Sequence, residues 1–177
     1  MQRIPLVPGD LAEPKHVVEA IRKRRGGELS NLDRLLLNSP VLAEAWNAFL
    51  GTVRQRLSLS PKVREIVMCA VAVINKAEYE FHHHAREFEK AGGSSAQVEA
   101  MQDVEAAARN AAVFNAQERM AFQLTLEMTR DIIVKEDAFE QANSLFSREE
   151  LVDLIATIAA YNMVSRVVVA CDIRPED

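Results

Sequence analysis

Cysteine is almost missing from this chain: Cys69 and Cys171 are the only two in 177 residues, and they stand far apart. Neither a disulfide framework nor a Cys-x-x-Cys redox dithiol can be built from them. Glycine and proline are scarce too, at 6 each, while hydrophobic residues reach 49%; that balance excludes a disordered chain and predicts a globular helical one. There is no surplus of positive charge. The net formal charge is −5, which argues against a nucleic-acid partner, because phosphates demand concentrated cationic surface. The run Arg22-Lys23-Arg24-Arg25 is the local exception and reads as a solvated helix end. No uncharged apolar stretch reaches the roughly 18 residues of a membrane span, and the opening MQRIPLVPGD has no signal-peptide core, so no membrane contact and a cytoplasmic location are expected.

Chemical motifs are also sparse. No Gly-x-Ser-x-Gly is present, so a serine nucleophile has no support. Cys69 has only Glu65 as a nearby base, and an anion beside a thiol disfavours the thiolate. Glu80-x-x-His83 has the spacing of half a di-iron carboxylate site, but the second half and any His-Glu-x-x-His are missing. His82, His83 and His84 are consecutive, so on a helix they point about 100° apart and form no ligand cluster. Neither metal nor cofactor is expected.

What is present is helix. The length suits one domain, with residues 1–13, holding Pro5, Pro8 and Gly9, as an extended arm and 14–177 as an all-α, single-domain helical bundle. Ser30/Asp33, Ser94/Gln97, Asn115/Glu118 and Ser147/Glu150 are capping-box pairs; Ser39-Pro40 and Ser60-Pro61 are cap-plus-proline starts. Leu42, Trp46, Phe49 and Leu50 form a core stripe, as do Phe81, Ala85 and Phe88, and Phe139 is placed inward. Ser94 opens a helix to about Val104 or beyond. The final helix runs from Ser147 to about Ala170, followed by a loose charged tail, Arg174 to Asp177.

One stretch concentrates acid-base groups beside apolar surface. From Val63 to Ile74 only Arg64 and Glu65 are charged, the pattern of a helix buried on nearly all sides. Glu65 shares a face with Met68, Cys69 and Ala72, so its carboxylate points into apolar surroundings and needs a partner. Glu80 and His84 stand at i and i+4 on the next helix, where a carboxylate fixes the tautomer of an imidazole and raises its pKa. His83 is expected to face water.

The spacing here is Glu65, eleven residues, Ala77-Glu78-Tyr79-Glu80, three residues, His84. It resembles the carboxymuconolactone decarboxylase and alkylhydroperoxidase D family, whose peroxidase branch carries Glu, eleven residues, Cys-x-x-Cys, three residues, His. Ala77 and Glu80 occupy the two cysteine positions. The resemblance implies an alkylhydroperoxidase D-like fold, a homo-oligomer (trimer or hexamer), and a cofactor-free lyase acting on a small carboxylated lactone from aromatic breakdown. In that reading His84 donates a proton, Glu80 orients it, Glu65 completes the relay, Tyr79 bonds the substrate, and Arg64 meets its carboxylate. Two alternatives stay open: an alkylhydroperoxidase-like antioxidant protein, and a non-catalytic oligomer that binds small acids.

Overall fold

The computed structural model describes residues 3–176; Met1 and Gln2 of the expected arm and Asp177 of the expected tail lie outside them. The described chain is helical and contains no strand. Its elements are α1 (Lys15–Arg25), α2 (Asn31–Leu36), α3 (Pro40–Gln55), α4 (Pro61–Ile74), α5 (Glu78–Lys90), α6 (Ser95–Ala100) and α7 (Val104–Arg109). They continue with α8 (Ala116–Leu126), a π-helical turn at Glu127–Asp131, α9 (Glu136–Leu145) and α10 (Arg148–Cys171).

Local chemistry explains most of the boundaries. All four capping boxes form: the side chains of Ser30, Ser94, Asn115 and Ser147 accept from the backbone three residues on, and the partner side chain reaches back. Ser60 caps α4 by accepting from Val63 N at 3.3 Å. Ser39 makes no side-chain cap bond, so α3 starts on Pro40 alone. The helix expected from Ser94 is two helices, because Asp103 accepts from Ala106 N at 2.9 Å and restarts the chain as α7.

α4 is the central element, packed against α5, α8 and α10. Every residue from Glu65 to Ala72 is buried, and each large aliphatic among them contributes about 1.5–3 kcal/mol of burial. α10 is the one described helix long and apolar enough to cross a membrane, and 44% of that apolar window is buried within the fold; Leu154, Ile158, Tyr161 and Val164 make up its buried face.

Three inward assignments fail for related reasons. On α3 the buried arc is Ala43, Trp46, Leu50 and Val53, so Leu42 and Phe49 fall on its flanks, half exposed. On α9 it is Ala138 and Ala142 that face the core, and Phe139 is turned outward. On α5 the buried stripe is Tyr79, Glu80, His84 and Phe88; Phe81 and Ala85 are only partly covered. A helix of this composition gains more apolar burial by turning Phe81 inward, so the observed rotation needs a reason at Glu80 and His84.

The ends are tied down. Arg34 Nε donates to Val7 O at 2.7 Å and Arg22 donates to Gly9 O at 2.7 Å, which lays the arm along α1 and α2. The tail expected to be loose is anchored at Glu176, whose carboxylate accepts from Asn31 N at 2.5 Å and from the Tyr79 hydroxyl at 3.2 Å and pairs with His83 Nε2 at 2.9 Å.

Candidate functional site

α4 and α5 are joined by Asn75-Lys76-Ala77, where Lys76 takes a left-handed φ of 57°. That sharp turn folds α5 back along α4 and brings the first turn of one helix beside the second turn of the other. The result is a buried contact of three groups. His84 Nδ1 lies 2.6 Å from Glu65 Oε2, and His84 Nε2 lies 3.3 Å from Glu80 Oε2. Exposures of 7% for Glu65, 2% for Glu80 and 5% for His84 put all three out of bulk water, where a carboxylate persists only beside a compensating charge.

The two contacts are unequal. The bond to Glu65 is short and directional, so Glu65 fixes the ring; the resemblance assigns that task to Glu80. The Nε2 to Glu80 separation is close enough for ionic attraction, but its geometry is not that of a hydrogen bond, and Glu80 Oε2 is buried without a hydrogen-bond partner. A buried carboxylate oxygen left in that state is uncommon and calls for a functional or structural explanation. Burial favours neutral histidine, yet the bond to Glu65 and the nearby charges of Glu65 and Glu80 outweigh it and raise the His84 pKa. For Glu80, burial is again opposed, by His84 first and then Arg54, and the net effect lowers its pKa. The two contacts therefore favour the protonated form of His84 and the ionised form of Glu80 relative to the free side chains.

Glu65, Glu80 and His84 all line a cavity of about 530 Å³. Its remaining wall is strongly cationic: Arg24, Arg25, Arg54, Arg64, Arg86 and Lys90 face it, with Glu87 the further acid. Arg64 stands where expected, with Nε buried and 3.9 Å from Glu65 Oε1. Tyr79 lines the same cavity, but its hydroxyl is committed to Glu176 and to the backbone N–H of Leu32, not to the open space. His83, expected in water, lies at the rim paired with Glu176.

Four participants escape sequence reasoning: Arg24, Arg25, Arg54 and Tyr161. Arg24 and Arg25, taken as a solvated helix end, are turned into the cavity by Asp33, with Arg25 Nε 2.9 Å and Arg24 Nη2 3.4 Å from its carboxylate. Burial, with Arg25 adding to it, lowers the Arg24 pKa to about 10. Arg54 donates through Nε to the Tyr161 hydroxyl at 2.6 Å, and the Tyr161 ring meets the His84 ring edge-on with centroids 4.9 Å apart. Arg54 lies in the last turn of α3, and nothing in the local pattern shows which way that turn faces.

Cys69 is fully buried. Burial, then the charges of Glu65 and Glu80, push its thiol far above the ordinary range, so no reactive thiolate forms there.

Residues 40–125 match the carboxymuconolactone decarboxylase family model. That match spans a little under half of the chain, and over it the chain is similar to the carboxymuconolactone decarboxylase family. That matched segment supplies Glu65, Glu80, His84, Arg54 and Arg64, whereas Arg24, Arg25 and Tyr161 come from helices on either side of it. Solved structures extend the likeness to the whole fold. An alkylhydroperoxidase D core, an uncharacterised peroxidase-related protein from Ralstonia eutropha JMP134, superposes with a TM-score of 0.82 at 19% identity, covering 99% of this chain and 93% of that one. A peroxidase-related protein from Silicibacter sp. TM1040 gives 0.80 at 20% identity, covering 99% and 92%. The debrominase Bmp8, solved with 2,3,4-tribromopyrrole, gives 0.80 at 16% identity, covering 99% and 94%. No curated protein matches the chain by sequence. Ala77 and Glu80 stand at the two positions where the resemblance puts the cysteine pair of the peroxidase branch.

Proposed function

We propose that this protein is a cofactor-free lyase that removes carbon dioxide from a small carboxylated lactone or a closely related unsaturated acid, using Glu65, His84 and Glu80 for proton transfer. The observation that carries the reading is the buried His84 imidazole, held by Glu65 at 2.6 Å and facing an unbonded oxygen of Glu80, at the wall of an arginine-lined cavity. In the reaction the bond between the carboxylate carbon and the ring breaks, and its electron pair moves into the conjugated carbonyl as carbon dioxide leaves. The resulting enolate takes one proton at carbon from His84 Nε2. Glu80 then returns a proton from water to Nε2, so each turnover consumes one proton and regenerates the site. The cationic wall binds the acid and stabilises the developing oxyanion.

The thiol-peroxidase alternative finds less support, since Cys69 is buried with a raised pKa and Cys171 lies at the far end of α10. A cytoplasmic setting belongs to the same proposal and is favoured by two free cysteines. So does a homo-oligomer, trimer or hexamer, favoured by the exposed apolar Val41, Phe49, Val152 and Met163.

Release of carbon dioxide from carboxylated lactones by the purified protein, with solvent deuterium appearing at the former carboxyl carbon, is the direct test. Glu80→Gln and His84→Ala are expected to lower turnover by about 10²–10⁴-fold. Wild-type protein that binds such acids but releases no carbon dioxide would reduce the protein to a binder, and undiminished turnover in His84→Ala would remove the mechanism.

A further inference from the structure

Among the half-buried arginines lining the cavity, Arg54 differs from the others in having no carboxylate within ion-pair distance, although Glu80 and Asp33 act on it from further away. Arg24 and Arg25 are paired with Asp33, and Arg64 faces Glu65. No carboxylate among the described residues lies within ion-pair distance of Arg54, and its only hydrogen bond there is the one from Nε to Tyr161. Both Nη groups, four N–H donors, are left without a protein acceptor on the cavity wall. Glu80 and Asp33 offset part of the cost of covering this guanidinium, and its free Nη donors leave room on the cavity side for a directly bonded anion.

Tyr161 sets the direction of those donors. Its hydroxyl holds Nε at 2.6 Å, and its fully buried ring lies edge-on to His84, centroids 4.9 Å apart at 83°. One aromatic side chain therefore holds the guanidinium by a hydrogen bond and packs against the imidazole that Glu65 fixes, so the two groups are registered against each other. We infer that Arg54 is the receptor for the acid group of the ligand, binding a carboxylate through its Nη pair beside His84, and that Tyr161 is the positioning residue for both; this rests on the acid-base cavity proposed above but not on its turnover. The planar fork suits the two oxygens of a carboxylate. Free phosphate offers similar oxygens in a tetrahedral arrangement, so it serves as the competing probe.

Calorimetric titration of the full-length chain with maleate, a small unsaturated dicarboxylate, and separately with inorganic phosphate tests the assignment. Arg54→Gln is expected to weaken maleate binding at least about tenfold, the effect of losing a charge-assisted fork. Arg54→Lys should recover part of that loss, and Tyr161→Phe should weaken binding about threefold to tenfold, as the donors lose their anchor. Arg148→Gln, exposed at the start of α10 and outside the cavity, should bind like wild type. A second readout separates positioning from folding: maleate should shift the His84 imidazole resonances in wild type and not in Arg54→Gln. Maleate binding that is unchanged in Arg54→Gln, lost in Arg64→Gln alone, or absent from wild type would overturn the assignment, as would phosphate binding tighter than maleate. If Arg54→Gln does not fold, wild-type affinity in Arg54→Lys overturns the fork. Arg54-dependent binding without carbon dioxide release leaves this inference standing and removes the lyase; turnover with unchanged KM in Arg54→Gln does the reverse.

Discussion

At the scale of residues, the chemistry is decided by one imidazole with two acids. Because burial and charge oppose each other at both Glu80 and His84, the site contributes to stability only over a limited pH range. His84 has a folded pKa above its ordinary 6.5, so its contribution is fully present below 6.5 and is lost as pH rises through the folded value. Glu80 has a folded pKa below its ordinary 4.5, so its contribution is present above 4.5 and is lost as pH falls through the folded value. The thermal midpoint should therefore be highest between these two reference values and decline on the alkaline side. In His84→Gln the alkaline decline should flatten; calorimetric melts of both proteins from acid to alkaline pH would show it, and an unchanged alkaline slope would mean that His84 is not held as an imidazolium. Glu65 and His84 were legible in advance, since a carboxylate among apolar neighbours and a histidine one turn from a glutamate both demand partners. The division of labour was not. Which carboxylate makes the 2.6 Å bond depends on the rotation of α5 about its own axis, and no spacing encodes that angle.

At the scale of elements, α5 shows the cost of building the site. Its buried face carries Glu80 and His84 while Phe81 and Ala85 remain partly open, the reverse of what hydrophobic patterning selects. The rotation is secured at the far end of the helix. Gly92 takes a φ of 93°, and a Cβ added at Gly93 would lie 2.0 Å from Phe88 Cε1. Phe88 is completely buried and has no room to withdraw. Gly93→Ala should therefore destabilise the protein by about 1–3 kcal/mol, the usual cost of overpacking, and should lower activity as well by loosening α5. Chemical denaturation measures the first effect, and a variant as stable as wild type would show that the α5 end is free to shift. The sequence marked Gly92-Gly93 as a helix end through ordinary stop signals; the close approach of Phe88 is a matter of packing and leaves no trace in the pattern.

For the molecule as a whole, the contrast is between an acidic chain, net charge −5, and a cavity faced by five arginines and a lysine. Low-dielectric walls concentrate the field of those cations, which is what the proposed acid ligand requires of a chain with this overall charge. Maleate affinity should fall several-fold as salt rises from about 50 to 300 mM, since screening shortens the reach of the exposed part of that field, whereas the dimethyl ester should bind weakly at every salt concentration. Titrations across that range would show the difference, and a flat response in maleate would mean the arginines act only on their protein partners. The sequence by itself determined the helices, their caps, the buried character of α4 and the presence of an acid, an acid and an imidazole at family spacing, because local backbone chemistry and periodicity fix those. Only the tertiary structure decided that Arg24 and Arg25 from α1 and Arg54 from α3 complete the wall, with Tyr161 from α10 behind Arg54 and His84. These residues are remote along the chain, and their meeting depends on how the helices cross and which face each one turns inward.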